Sequence, residues 1–415
     1  MVKFRPFRAV RPALDYAAKV AALPYDVMTS EEAQIMVQGN PYSFLHIDKA
    51  EIDLAQGTDP YSPEVYAKAK ENLDRQISEG VFIQDERPQF YVYRLTMNGH
   101  SQTGLVGCAS IDDYEAGIIK KHEFTRTDKE EDRVRHVDAL DANTGPIFLA
   151  ARGNREFSLL LEKAVSGNPV YDFTAEDGIR HEVWILDEKE QGAAHAIFAK
   201  TDALYIADGH HRCASAARVG KMRRQQHPGF TGDEEFGFFL AVVFPEDQLR
   251  IFDYNRVVRD LNGLSSEAFL AKLSDKFNIE LYPGDGPAKP ERYHTFGMYL
   301  DDRWYLLEIR PGIADESDPV ARLDVSLLQE NCLAPILGIH DPRTDKRIDF
   351  IGGIRGLSEL ERRVNTDMKI AFAMYPTRMK ELFDIADAGN VMPPKSTWFE
   401  PKLRSGLFIH RLSEI

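Results

Sequence analysis

The sequence predicts an α/β protein of mixed sheets, an α+β arrangement in which strand pairs and helices succeed one another without a strict alternation. Three observations carry this. Short β-branched and aromatic runs are bounded by turn residues, apolar positions recur at helical spacing behind recognisable caps, and 415 residues exceed what one ordinary core spans. Hydrophobic residues at 43% and charged residues at 28% suit a globular chain. Lys and Arg number 51 against 66 Asp and Glu, a formal charge of −15, which speaks against a broad nucleic-acid surface because phosphate binding needs clustered cations. Cys108, Cys213 and Cys332 show no C-x-x-C spacing, so neither a disulfide framework nor a cysteine zinc site is expected. The start MVKFRPFRAVRP lacks a signal-peptide core and no long apolar run follows, so a cytoplasmic chain without membrane partners is expected.

Thr29-Ser30-Glu31-Glu32 is a helix start with a capping hydroxyl, and Tyr42 to Ile47 reads as a short strand containing His46. Ser62-Pro63-Glu64 opens a helix that places Val65, Ala69, Leu73 and Ile77 on one face and closes at Gly80. Phe90 to Met97 and Thr103 to Ile111 form a hairpin around Asn98-Gly99, with its tyrosines expected on the sheet surface. Lys129 to Leu140 reads as a charged helix, Ile147 to Ala151 as a strand, Phe157 to Val165 as a helix and Glu182 to Leu186 as a strand. Phe236 to Phe244 is a central strand, and Ser265 to Phe277 a helix. Thr295 to Leu300 and Trp304 to Ile309 form a second hairpin around Asp301-Asp302. Asp324 to Ile339 reads as a buried helix interrupted near Pro335, Lys369 to Tyr375 as a buried strand, and Met379 to Ala386 as a helix ending at Gly389.

The chemistry concentrates in Ala203 to Gly220, ALYIADGHHRCASAARVG, a strand, a turn and an alanine-rich helix. The first N–H groups of a helix lack intrahelical partners and carry the positive end of its dipole, so an anion belongs at such a turn. Asp208 is the expected N-cap, Gly209 permits close approach of a ligand, Arg212 offers a fork for phosphate, and Gly220 is the expected stop. Upstream, His122-Glu123-Phe124-Thr125 sits between apolar Ile118-Ile119 and the charged helix. Asp26 and His46 are weaker candidates, for which capping and packing are sufficient explanations.

Together, Pro24-Tyr25-Asp26-Val27, Lys121-His122-Glu123-Phe124-Thr125, Ala207-Asp208-Gly209-His210-His211-Arg212 and Met392-Pro393-Pro394-Lys395-Ser396-Thr397 resemble, nearly end to end, a bacterial family catalogued as domain of unknown function number 1015. The turn Asp208 to Arg212 also resembles the nucleotide-phosphate turn of the free-serine kinases of the ParB/sulfiredoxin superfamily. Three regions are expected, of which the resemblance covers the middle one. Residues 1–115 would form an N-terminal α+β segment, 116–225 a ParB/sulfiredoxin-like catalytic core with an insertion through about residue 190, and 226–415 a C-terminal α+β subdomain.

The same resemblance implies a phosphotransferase acting on free L-serine or O-phosphoserine, with ATP or ADP as cosubstrate and magnesium as cofactor. Phosphates would lie at Asp208, Gly209, His210, His211 and Arg212, with Glu123 as base and His210 or His211 assisting. Asp208 would be the magnesium ligand. His122, Thr125, Arg126, Lys395 and Thr397 are the substrate-binding candidates, with Arg133 beside them. A small molecule and a nucleotide are the expected partners, with a second copy of the chain as a further candidate.

Two other readings stay open at this point. His122, His136, Asp138, Asp208, His210 and His211 are ligand types for a metal-dependent phosphoesterase. A non-enzymatic nucleotide-binding regulatory module of the ParB kind would need the turn alone.

Overall fold

The computed structural model describes residues 1–413. It has two compact units, Met1–Leu249 together with the returning segment from Pro401, and Arg250–Glu400.

The first unit is built on a nine-stranded mixed sheet. Its order is Ile119–Lys120, Leu204–Asp208, Ile147–Ala151, Phe238–Pro245, His100–Ser110, Tyr91–Met97, Arg180–Ile185 and Tyr171–Thr174, with Phe4–Arg5 also pairing on His100–Ser110. All eight residues of Phe238–Pro245 are buried, as expected of a strand with neighbours on both edges and cover on both faces. Each large side chain placed there contributes about 1.5–3 kcal/mol of burial, which makes this strand the axis of the unit. The 91–110 hairpin turns on Asn98 and Gly99, both with positive φ of 50° and 76°, as the primed turn requires.

Several expectations need correction. Tyr91 and Tyr93 are fully buried. Phe408 of the returning segment packs on Tyr91 at 5.2 Å between ring centroids, and the Tyr93 hydroxyl bonds His181 Nδ1 at 2.8 Å. Residues Leu45–Asp48 are a short helix rather than the end of a strand. The helix after the turn runs His210–Gln226, straight through Gly220. A Cβ at Gly220 would lie 2.4 Å from the Phe236 carbonyl oxygen and 2.5 Å from Ile111 Cδ1, so this glycine marks a close crossing and not a stop.

The region boundaries shift as well. The edges expected at 115 and 225 both fall inside the first unit, because Phe238–Pro245 hydrogen-bonds to His100–Ser110 on one side and Ile147–Ala151 on the other.

The second unit carries a six-stranded sheet, ordered Phe277–Leu281, Arg303–Ile309, Thr295–Leu300, Ile370–Met374, Tyr254–Val258 and Ile348–Gly352. The helix expected to Phe277 ends at Leu273, and Phe277 opens the edge strand. The segment expected as one helix from Asp324 is helical over Asp324–Leu328 and then widens into a π-turn over Gln329–Leu333. The fold is thus mixed α/β with several sheets.

Candidate active site

Sheet direction brings the site together. Ile119–Lys120 and Leu204–Asp208 run parallel, with Leu204 opposite Ile119 and Tyr205 opposite Lys120, so both chains leave the sheet at the same end. One delivers His122 and Glu123, the other Gly209 and His210. Ile147–Ala151 is antiparallel to Leu204–Asp208, so its entry loop, Asn143 to Gly145, arrives at that end too. The pairing shifts register between Ile206 and Asp208, the kind of bulge that re-aims a side chain at a strand end.

Gly209, not Asp208, occupies the N-cap position. Its φ of +93° is a conformation open to glycine and strained for any other residue, which explains the Asp-Gly pair. The first backbone bond of the helix runs from Cys213 N–H to the Gly209 carbonyl at 2.9 Å, so the amides before it are the unspent donors of a helix start. Asp208 serves otherwise. Its Oδ1 accepts the Gly209 N–H at 2.9 Å and its Oδ2 receives Lys402 Nζ at 3.0 Å. Burial pushes the Asp208 carboxyl up, but Lys402 and Arg212 outweigh it and hold the group well below the usual carboxylate range. Each Asp208 oxygen thus holds one donor, and a magnesium ion there would share the carboxylate with Lys402 and the Gly209 N–H.

Across the end of the sheet, the buried rings of His122 and His210 meet edge to face at 4.5 Å. His210 Nδ1 stands 4.0 Å from Glu123 Oε2. One ligand atom from each of His122, Glu123 and His210 lies within 4.8 Å of the others, a spacing that suits a cation. Burial pulls the His122 imidazole down to about 4 and His210 well below its ordinary value, so both rings are neutral at pH 7. His211 Nε2 accepts the Arg126 backbone N–H at 3.0 Å, and burial lowers this imidazole too, against the pull of Asp26.

Other sequence candidates are placed differently. Thr125 donates to Glu130 at 2.8 Å, and the exposed Arg126 side chain pairs with Asp128 at 2.7 Å. Asp138 is held by Arg223 at 2.8 Å and His136 bonds the Ile47 carbonyl at 3.1 Å, so these two do not join the His122, Glu123 and His210 group as metal ligands. His46 is bonded to Asp53 at 2.8 Å. Lys395 and Thr397 belong to the second unit, where the Lys395 carbonyl accepts from Arg256.

Sequence reasoning missed a second cluster behind the turn. Arg212 Nη1 donates to the Pro146 carbonyl at 2.8 Å, which anchors the guanidinium against the entry loop. Beside it a narrow cavity of about 20 Å³, room for one or two waters, is lined by Tyr25, Arg133, His136, Thr144, Arg212 and Ser405 among others. Arg133 sits 3.9 Å above the Tyr25 ring and pairs with Asp132 at 2.8 Å, while Thr144 donates to Asp48 at 3.0 Å. The signals the sequence offers for it are the Pro24-Tyr25-Asp26-Val27 stretch and the separate candidates Arg133, His136 and Arg212. Nothing in the sequence flagged Lys402, which meets Asp208 across 194 positions.

Several solved structures share features with this chain. A free serine kinase in complex with AMP aligns at 15% identity and a TM-score of 0.35, covering 72% of this chain and 90% of that one. A conserved hypothetical protein from Pyrococcus furiosus aligns at 14% and 0.36, covering 72% and 93%. SbnI with a C-terminal truncation, from Staphylococcus aureus, aligns at 13% and 0.37, covering 72% and 85%. No curated protein matches the chain. The model of the family described as Protein of unknown function (DUF1015) matches residues 4–326, most of the sequence, and the chain belongs to that family.

Proposed function

We propose that the chain is a nucleotide-dependent phosphotransferase acting on a small hydroxyl compound, with free L-serine as the acceptor and a ParB/sulfiredoxin-like core contained within the first unit. The observation that carries this reading is the placement of Glu123 4.0 Å from His210 Nδ1 at the mouth of a helix start that also presents Arg212. Phosphoryl transfer asks a protein mainly to position groups and stabilise charge. The amides following Gly209 and the Arg212 guanidinium receive the phosphates of ATP or ADP, and Glu123 accepts the proton of the attacking hydroxyl. The serine oxygen forms the new P–O bond as the anhydride P–O bond breaks, and the nucleotide leaves one phosphate shorter. His210, neutral at pH 7, accepts the His122 N–H at Nε2 and turns Nδ1 toward the Glu123 carboxylate. Lys402 keeps Asp208 ionised, so Asp208 braces Gly209 and leaves the helix amides to the phosphate. Magnesium is expected on the phosphate oxygens of the nucleotide.

The test is incubation with magnesium, ATP or ADP and L-serine, with phosphoserine read by mass spectrometry and the reverse reaction run in parallel. Phosphoserine formation supports the reading, and no product in either direction defeats the serine assignment. Nucleotide binding without turnover across a range of small alcohols would favour the regulatory module instead.

One observation favours a second reading. The His122, Glu123 and His210 spacing also suits a transition metal, and with it a metal-dependent phosphoesterase. About one tightly bound zinc, manganese or iron per purified chain would support it, since neutral buried imidazoles bind such ions strongly. A metal-free preparation that transfers phosphate with added magnesium would remove it.

A further inference from the structure

The second unit holds a cavity of about 330 Å³ in the size range of small-molecule sites. Its floor comes from two paired strands, Tyr254–Val258 and Ile348–Gly352, in which Arg256 and Phe350 are direct partners. Arg256 is 3% exposed and has no carboxylate partner among the described residues. Its guanidinium meets the Tyr254 carbonyl, the Lys395 carbonyl at 3.0 Å and the face of Phe350 at 5.4 Å. Burial without a counter-ion pulls the group down to about 10, a cost that a native fold seldom carries without return. On the opposite wall Ser326, 7% exposed, has a buried Oγ with no hydrogen-bond partner among the described residues. It precedes the π-turn Gln329–Leu333, an irregularity frequent at functional sites. Much of the remaining wall is apolar, including Val320, Val325, Leu333 and Pro394.

We infer that this cavity is a binding site for a small organic monocarboxylate with an apolar body, its carboxylate seated on Arg256 with Ser326 Oγ donating to it. A planar guanidinium fork matches a carboxylate, and the hydroxyl gains the partner it lacks. The cavity also selects against multiply charged anions. Exposed Asp318 and Glu330 border it, so one cation faces two carboxylates, and a phosphate dianion would be repelled where a monoanion is not.

Isothermal titration of the full chain at neutral pH with 3-phenylpropanoate, 3-phenylpropan-1-ol and inorganic phosphate tests this. The acid is expected to bind at least about tenfold more tightly than the alcohol, with phosphate failing to compete. Arg256→Met, which keeps volume and removes charge, should abolish the preference for the acid, and Ser326→Ala should weaken the acid a few-fold while sparing the alcohol. Equal binding of acid and alcohol by the unmodified chain, competition by phosphate, or no heat from the acid up to about 10 mM overturns the assignment. The comparison of acid with alcohol needs no variant, so it decides the matter even where Arg256→Met does not fold.

Discussion

The two units treat buried charge in opposite ways. In the first, three buried cations each have an anion in reach: Lys402 on Asp208 at 3.0 Å, Arg133 on Asp132 at 2.8 Å, and Arg404 on Asp177. In the second, Arg256 is equally buried and meets only carbonyl oxygens and a ring. Paired charges stand in place without a ligand, which suits a centre that must hold geometry before its substrate arrives. An unpaired one would be stabilised by a monoanion that reaches it.

The contrast extends to protons. Four of the imidazoles that the first unit buries are held neutral, with burial lowering His122 and His136 to about 4, His181 to about 3 and His210 well below its ordinary value. The second buries Asp324, whose carboxyl burial raises to about 8, partly opposed by the His294 N–H at 3.0 Å.

Glu123→Gln probes the comparison with the largest expected effect. Phosphate transfer should fall by about 10²–10⁴, the usual worth of a positioned base. Binding of 3-phenylpropanoate to the second unit should stay within about twofold, and a larger change would show that the two sites are not separate. Retained transfer would take Glu123 out of the base role.

Lys402→Met should cost about 2–4 kcal/mol in urea unfolding, toward the lower part of what breaking a buried pair costs because Asp208 keeps 31% exposure. It should also raise the Asp208 carboxyl, measurable by NMR titration. An unchanged midpoint would mean that the pairing in the first unit is ornamental.

Gly220→Ala sets helix propensity, a gain of up to about 1 kcal/mol, against the 2.4 Å approach to the Phe236 carbonyl oxygen. The approach is to backbone, so the clash should win with a net loss of about 1–3 kcal/mol, again read from the urea midpoint. A stabilised variant would show that the helix shifts freely there.

The most diagnostic effect is in pH. A histidine with a depressed folded value adds stability that is complete above its unfolded value and is lost as pH falls. The first unit should therefore weaken as pH drops from about 6.5 toward 4. A carboxyl with a raised folded value works in reverse. Asp324 favours the fold at low pH, and its contribution is lost as pH rises from about 4 to about 8. Asp324→Asn should raise protection of second-unit peptides in hydrogen exchange at pH 8 by more than at pH 5. First-unit peptides should show the opposite trend with pH, and parallel behaviour of the two would erase the distinction.

Local signals in the sequence were read well wherever the cause was local. The capping box of Thr29 and Glu32, proline at the start of Pro63–Ser78, and the Asp301-Asp302 turn with φ of 50° and 60° all rest on neighbours a few residues apart. Errors arose where tertiary contact decides. Gly220 carries the chemistry of a helix stop and is used as a crossing point, Phe277 continues a helical period and opens a strand, and Tyr91 alternates like a surface residue until Phe408 covers it. At the candidate site, His122, Glu123 and the Asp208 to Arg212 turn stood out as a dense set of reactive types. Lys402 did not, because no spacing rule links a lysine to an aspartate 194 positions away.

That distance bears on how the protein is made. The first unit is interrupted after Leu249 and resumes at Pro401, so the ribosome must synthesise the whole second unit before Lys402 exists. At about 5–20 residues per second this takes roughly ten to thirty seconds, long compared with the folding of most strands and helices. Until then the nascent turn carries Asp208 without its lysine. The brace on Asp208 behind Gly209 is therefore completed last, after every residue of the second unit has been made.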